Sequence, residues 1–243
     1  MKNNLFITIL AAGKGSRMHS HIPKVLQRLG NRALIDYVID TSKNLNPQKI
    51  ILVIGHKKED VVFHTKNRSL DYVTQEHQLG TGHAVIQCQK ILKEDVGSLL
   101  VLYGDVPNIS KETLLALIQK HASEKNDITI LSAIIDNPLG YGRIVRNSTG
   151  KIVEIIEEKD CNDQQKQIKE INTGFYLFET PIIFDYLKKI QNKNMSKEYY
   201  LTDIVGVAKN NLKIGIMTTN DSNEILGINT LAQLKKMKGF QDE

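Results

Sequence analysis

Between Leu10 and Met18 the chain reads LAAGKGSRM, and Pro23 and Lys24 follow close behind. Gly13 and Gly15 are interleaved with Lys14 and Arg17, Lys24 adds a further cation, and no acid stands in the stretch. Glycines let a backbone approach a ligand closely and converge its N–H groups on an anion. Cations set among them would meet phosphate charge, so the loop reads as a polyphosphate cradle. Two better-known phosphate loops are excluded. The Walker pattern places a Lys–Ser/Thr pair after its last glycine, whereas Lys14 lies between the glycines. The dinucleotide fingerprint wants a further glycine where Met18 stands. A glycine-rich turn after a strand is also a common plain connection, so the weight rests on spacing, cations and missing acids together.

A second chemical group stands at Asp105, after the apolar run Ser98 to Tyr103 and between Gly104 and Pro107. Mg²⁺ favours hard oxygens, with one or two protein carboxylates beside substrate phosphates and water. One acid facing a cationic loop meets that need, although turn capping is the commoner use of an Asp there. The stretch QEHQLGTGHA offers Gln75 and Gln78, which both donate and accept, and backbone N–H groups at Gly80 and Thr81. These could read a base edge or a ribose; they read equally as a turn with Thr81 as N-cap, and the residues alone do not decide. The histidines form no metal pattern beyond a weak His19/His21 pair, which reads as loop surface. No local motif nominates a Ser–His–Asp or Cys–His set.

These groups need a scaffold. The 243 residues, 41% hydrophobic and 24% charged, suffice for one large α/β domain. A net charge of +5 suits anionic small substrates. The lysines are spread along the chain and no nucleic-acid motif occurs, which argues against a nucleic-acid partner. Cys88 and Cys161 have no ligand spacing, and no segment is long and apolar enough to span a membrane, so the expectation is a cytoplasmic protein with no membrane partner.

Apolar runs at Leu5 to Leu10, Lys49 to Ile54, Leu70 to Thr74, Ser98 to Tyr103 and Asp127 to Ile135 read as strands. Helical spacing fills Ala33 to Leu45, Lys57 to Lys66, the stretch from Thr81 to Leu92, and Ser110 to His121. This alternation predicts a mixed, mostly parallel sheet with helices on both faces, and such sheets bind ligands beyond the C-terminal strand ends. The glycine loop and the Asp105 turn share that edge. Further on, Gly142 to Arg146 and Lys151 to Ile156 read as a hairpin around NSTG, the start of a small β-rich lobe. A polar segment Glu157 to Lys169, a strand Ile171 to Phe178, helices Pro181 to Ile190 and Leu201 to Asn210, a strand Lys213 to Thr218 and a helix Thr230 to Lys238 complete the chain.

LAAGKGSRM with PKVL, QLGTGHA, YGDVP, GYGRI, EINTG, EYYLTD and GIN occur in that order. Together they resemble the N-terminal uridylyltransferase domain of the bacterial bifunctional N-acetylglucosamine-1-phosphate uridylyltransferase/glucosamine-1-phosphate acetyltransferase, from Leu5 to about Leu234. LAAG with PK is shared by many sugar-nucleotide pyrophosphorylases; QLGTGHA, YGDVP and EINTG are narrower. The resemblance implies a Rossmann-like nucleotidyltransferase fold and transfer of uridylyl from UTP to N-acetylglucosamine 1-phosphate, a step toward peptidoglycan and lipopolysaccharide. It places Leu10, Ala11, Ala12 and Gly13 along the nucleotide, Arg17 and Lys24 on the phosphates, and Gln75, Gly80 and Thr81 at the uracil. Tyr103 and Gly104 would line the site, Asp105 and Asn229 would hold Mg²⁺, and Gly142, Glu157 and Asn172 would contact the sugar.

Ser16 stands where that family usually has Thr, and keeps the hydroxyl. No hexapeptide repeat of the family's β-helical acetyltransferase half is found, so the expectation is a single nucleotidyltransferase domain over 1–243, without acetyl transfer or the family's trimer. Two other readings remain at this level: a pyrophosphorylase using another sugar 1-phosphate or dTTP, and a non-catalytic nucleotide-sugar binder. Intact Arg17, Lys24, Asp105 and Asn229 weigh against the latter.

Overall fold

A computed structural model describes residues 4–18 and 20–239. β1 (Leu5–Leu10) enters the glycine loop, and a small ribbon of β2 (Arg28–Leu29) and β3 (Arg32–Ala33) precedes α1 (Leu34–Lys43). There follow β4 (Lys49–Ile54), α2 (Lys58–Thr65), β5 (Asp71–Thr74), α3 (Thr81–Ile86), α4 (Gln89–Leu92), β6 (Gly97–Tyr103), α5 (Lys111–Glu124) and β7 (Ile128–Ile134). The second part holds β8 (Arg143–Arg146), β9 (Ile152–Ile156), α6 (Asp163–Lys166), β10 (Glu170–Thr180), α7 (Ile183–Leu187), α8 (Ile204–Ala208), β11 (Ile214–Thr219) and α9 (Leu231–Gly239). No helix among the described residues is long and apolar enough to cross a membrane.

The main sheet runs β11–β7–β10–β6–β1–β4–β5, and β8 and β9 branch from β10 as an antiparallel pair. Side chains alternate across it. Ile7 and Ile9 of β1 pack with α1 (Ile35, Val38, Ile39) and α5 (Leu114, Leu117) on one face. Phe6 and Leu10 pack with Val85, Cys88, Phe184 and Ile204 of α3, α7, α8 and the α3–α4 junction on the other. Both faces are thus covered, which is why the strand sequences read as continuous apolar runs. From β1 the chain winds outward through β4 and β5; from β6 it winds the opposite way toward β7. A crevice opens where adjacent strands send their connections to opposite sides, here beyond the C-terminal ends of β1 and β6.

Several local expectations are corrected. Gly80, not Thr81, is the N-cap of α3. The Thr81 hydroxyl instead accepts the N–H of Leu201 at 3.0 Å, a partner 120 residues away that no local pattern announces. The helix expected through Leu92 breaks after Ile86 into α3 and α4, and that expected at Pro181 to Ile190 shortens to α7. The helix expected from Leu201 begins as a 3₁₀ turn, Leu201–Asp203, before α8. The NSTG hairpin forms, with Asn147 Oδ1 accepting N–H bonds from Thr149 and Lys151.

β10 is antiparallel to both β6 and β7, and its register slips between Asn172 and Tyr176. At that irregularity Gly174 has φ +89°, and a Cβ there would fall 2.5 Å from Cε2 of Tyr103. The bulge therefore delivers the Asn172 segment to the end of β6. Gly174→Ala should destabilise the protein by about 1–3 kcal/mol through left-handed strain, with the collision adding to it. Urea unfolding measures this; an unchanged midpoint would contradict the close approach to Tyr103.

Candidate active site

Backbone pairing sets the start of the glycine loop. Leu10 is in register with Tyr103, and Gly104 N–H donates to Leu10 O at 3.0 Å. Ala11 N–H donates to Val53 O at 2.9 Å, and Ala12 O accepts His56 N–H at 3.2 Å. The loop is thus held through Ala12 and released at Gly13, where an added Cβ would meet nothing within 4 Å. It then folds back on Lys24: Gly15 has φ +60°, and a Cβ there would lie 2.8 Å from Lys24 Cβ. Met18 closes the loop by burying in a small apolar cluster with Leu29, Leu34, Ile228 and Leu234.

A cleft of about 440 Å³ lies at this edge, lined by Leu10, Ala11, Ala12, Gly13, Lys24, Gln75, Gly80, Thr81, Tyr103 and Asp105, with Lys14, Gln78 and Glu198 beside them. A larger depression of about 520 Å³, around Lys43, Gln48 and Asp71, sits at the opposite ends of the strands, away from these converging groups.

One cation joins three separate segments. Lys24 Nζ makes an ion pair with Asp105 Oδ2 and donates to Asn229 Oδ1 at 2.7 Å. The Arg17 guanidinium donates to the same Oδ1 at 3.0 Å. Asn229 is placed by its neighbours: Ile228 N–H donates to Asp105 O at 3.0 Å, and Gln233 Oε1 accepts the N–H groups of Asn229 (2.7 Å) and Thr230 (3.0 Å). Gln233 N–H in turn donates to Thr230 Oγ1 at 3.2 Å, so a capping arrangement opens α9.

A carboxylate oxygen and an amide oxygen therefore meet at one ammonium, close enough to share a cation. Both are hard donors of the kind Mg²⁺ takes. Among the described residues no cluster of three or more His, Cys, Asp or Glu could hold a metal, so this is no all-protein cage. It fits instead a divalent ion that completes its shell with phosphate and water. Of the weak histidine pair, His21 is exposed and His19 lies outside the described residues.

Gly142, Glu157 and Asn172 gather beside Tyr103. Asn172 N–H donates to Gly142 O at 2.8 Å, and Asn172 Oδ1 accepts Gly174 N–H at 3.2 Å. A Cβ on Gly142 would lie 3.6 Å from the Glu157 carboxyl. Glu157 Oε1 accepts the Thr202 hydroxyl at 3.0 Å, and burial pushes its carboxyl up. The Tyr103 phenol is also pushed up, first by burial and then by the charges of Glu157 and Asp105. Asp203 is pushed up to about 6 by burial and by Asp160.

A segment whose residue types alone nominate no chemistry staples these halves. Tyr199 N–H donates to Leu79 O at 2.7 Å and Tyr199 O accepts Gly82 N–H at 2.8 Å, while Leu201 and Thr202 reach Thr81 and Glu157. Its signal was the EYYLTD motif, which carried no chemistry of its own. Arg143 was also missed: buried, it donates to Glu158 Oε2 at 2.6 Å and to Tyr141 O, while Gly140 N–H donates to the same Glu158 oxygen at 3.2 Å. That linkage holds the Gly140–Gly142 turn in place.

Residues 7–219 match the family described as nucleotidyl transferase. The chain is 46% identical over 235 residues, 96% of its length, to the bifunctional protein GlmU of Francisella tularensis subsp. novicida, and equally to that of subsp. holarctica. It spans about half the length of these curated relatives, 51% of each. Its fold is similar to a putative glucose-1-phosphate thymidylyltransferase of Bacillus anthracis, with TM-score 0.73, 20% identity and coverage of 97% of this chain and 94% of that one. It is also similar to a UDP-glucose pyrophosphorylase, with TM-score 0.74, 17% identity and coverage of 99% and 100%. A strand-end cleft in which the glycine loop and Lys24 meet the Asp105 carboxylate accords with a family match across most of the chain: this protein belongs to the nucleotidyl transferase family.

Proposed function

We propose that the chain transfers uridylyl from UTP to N-acetylglucosamine 1-phosphate, giving UDP-N-acetylglucosamine and pyrophosphate. The observation that carries this is the meeting of Lys24, Arg17, Asp105 and Asn229 at the mouth of the glycine loop. The 46% identity with GlmU proteins supports the choice of substrates.

On this reading a phosphate oxygen of the sugar phosphate attacks the α-phosphorus of UTP in line. One P–O bond forms, the bond to the β-phosphate oxygen breaks, and pyrophosphate leaves with the electron pair. The nucleophile is already ionised, so no general base is needed; positioning and charge stabilisation do the catalysis. Leu10 to Gly13 lie along the nucleotide, Gln75, Gly80 and Thr81 meet the uracil, and Tyr103 and Gly104 line the floor. Lys24 and Arg17 neutralise charge on the transferring phosphates. Gly142, Glu157 and Asn172 take the sugar, whose hydroxyls need paired acceptors and donors. Asp105 and Asn229 would hold a divalent ion, Mg²⁺ by the hardness of the donors, which would supply further charge neutralisation to the phosphates.

Pyrophosphate release, measured with UTP, dTTP and CTP against a panel of sugar 1-phosphates, tests the proposal. UTP with N-acetylglucosamine 1-phosphate should give the highest kcat/KM; a clear preference for another pair would overturn the assignment.

Asp105→Ala should lower turnover by about 10³-fold or more, because one well-placed charge group in such a site is worth roughly that. Circular dichroism should show the variant folded; near-parent turnover would remove Asp105 from its role. Lys24→Ala should cost about 10²–10³-fold in kcat with little change in sugar-phosphate KM, since its charge counts most where phosphate charge builds up. Kinetics with a raised KM and intact kcat would place Lys24 in ground-state binding instead.

A further inference from the structure

We propose that His83 is a positioning residue that sets base selectivity: it helps lock the Gln75 amide so that only the carbonyl oxygen is left for a ligand. This rests on the reading that Gln75, Gly80 and Thr81 meet the base.

Gln75 is buried on the wall of the cleft. Its Nε2 lies 3.0 Å from Gly80 O and 3.0 Å from His83 Nδ1. A backbone carbonyl is an acceptor in every protonation state, so the amide atom facing Gly80 O is the nitrogen. A primary amide nitrogen has two hydrogens, and both are engaged. The imidazole nitrogen that faces it must then be bare, with the ring proton on Nε2. Gln87 Nε2 donates to the His83 carbonyl at 3.0 Å, and its longer 3.3 Å approach to His83 Nε2 sets one N–H beside another in this tautomer, so the carbonyl is its acceptor. The surroundings keep the ring neutral: burial lowers its protonation, and the charges of His77 and Lys90 act the same way, against one favourable backbone bond at His77. The Tyr199 ring lies beside it, tilted by 36° with centroids 6.3 Å apart.

What Gln75 presents is therefore an acceptor, next to the Gly80 and Thr81 N–H groups, which have no backbone partner among the described residues. An acceptor beside donors complements the N3–H of uracil and its flanking carbonyl. Cytosine, with a bare N3 and an amino group at C4, would set like against like. Gly80 O supplies half of this lock and His83 the other half.

The test is titration calorimetry of UTP and CTP on the parent chain, His83→Ala and His83→Asn. The parent should favour UTP. His83→Ala should lower the UTP:CTP affinity ratio by about threefold to tenfold, the worth of one neutral hydrogen bond. His83→Asn, whose Oδ1 offers an acceptor in place of Nδ1, should restore it. In the parent the ratio should also fall as acidification protonates the ring, which then turns an N–H on Gln75, a change that burial displaces below the ordinary imidazole range, and it should stay flat in His83→Asn. A folded His83→Ala with an unchanged ratio, or a loss that His83→Asn does not restore, overturns the proposal. A parent that does not distinguish UTP from CTP removes the base-site reading and this inference with it. Absence of pyrophosphate release with every sugar phosphate, while the UTP:CTP ratio still falls in His83→Ala and returns in His83→Asn, faults the reaction and upholds the lock.

Discussion

Lys24 carries the constraint on which the site depends. Its ammonium is held between the Asp105 carboxylate and the Asn229 amide oxygen, and the side chains of Lys24 and Asp105 are largely shielded, at 17% and 14% exposure. A shielded ion pair is weak evidence for stability, because desolvation offsets most of the attraction. Its value here is geometric. It fixes the loop after β1, the turn after β6 and the entry to α9 around one point, and Arg17 adds a second cation to the same oxygen. Without the acid, the cations of the glycine loop would face one another uncompensated.

The sheet makes that convergence possible. β1 and β6 are neighbours whose connections leave in opposite directions, so their C-terminal ends face an open crevice. Backbone pairing carries the loop rigidly as far as Ala12, and freedom begins at Gly13, where phosphate would lie on the proposed reading. On the other side, the bulge at Gly174 and the staple from Tyr199 to Thr202 bring the segments of Asn172 and Glu157 toward Tyr103. Positioning is thus distributed over backbone bonds, and the side chains facing the cleft are few.

The apolar runs of β1 and β4 were legible residue for residue, because a strand buried on both faces leaves an unbroken hydrophobic stretch. The direction of β10 was not: burial says nothing about whether a strand runs parallel or antiparallel to its neighbours. Thr81 was misplaced as a cap because its hydroxyl has a long-range partner in Leu201. Within the site, the cationic loop and Asp105 could be read from residue types, because glycines, interleaved cations and missing acids coincide in one loop and an acid follows a neighbouring apolar run. Asn229 could not; its place at the node comes from Ile228 and Gln233 and was expected only through family resemblance. His83 looked like one of several unremarkable histidines until its ring nitrogen was placed against Gln75.

If Lys24 and Asp105 act as one unit, their removal should not be additive, as with other groups that function together. The direct measurement is a kinetic double-mutant cycle: kcat/KM for pyrophosphate release in the parent, Lys24→Ala, Asp105→Ala and the double variant. The account requires the double variant to lose about as much as the worse single one. Losses that multiply would show the two side chains acting independently, and would contradict it.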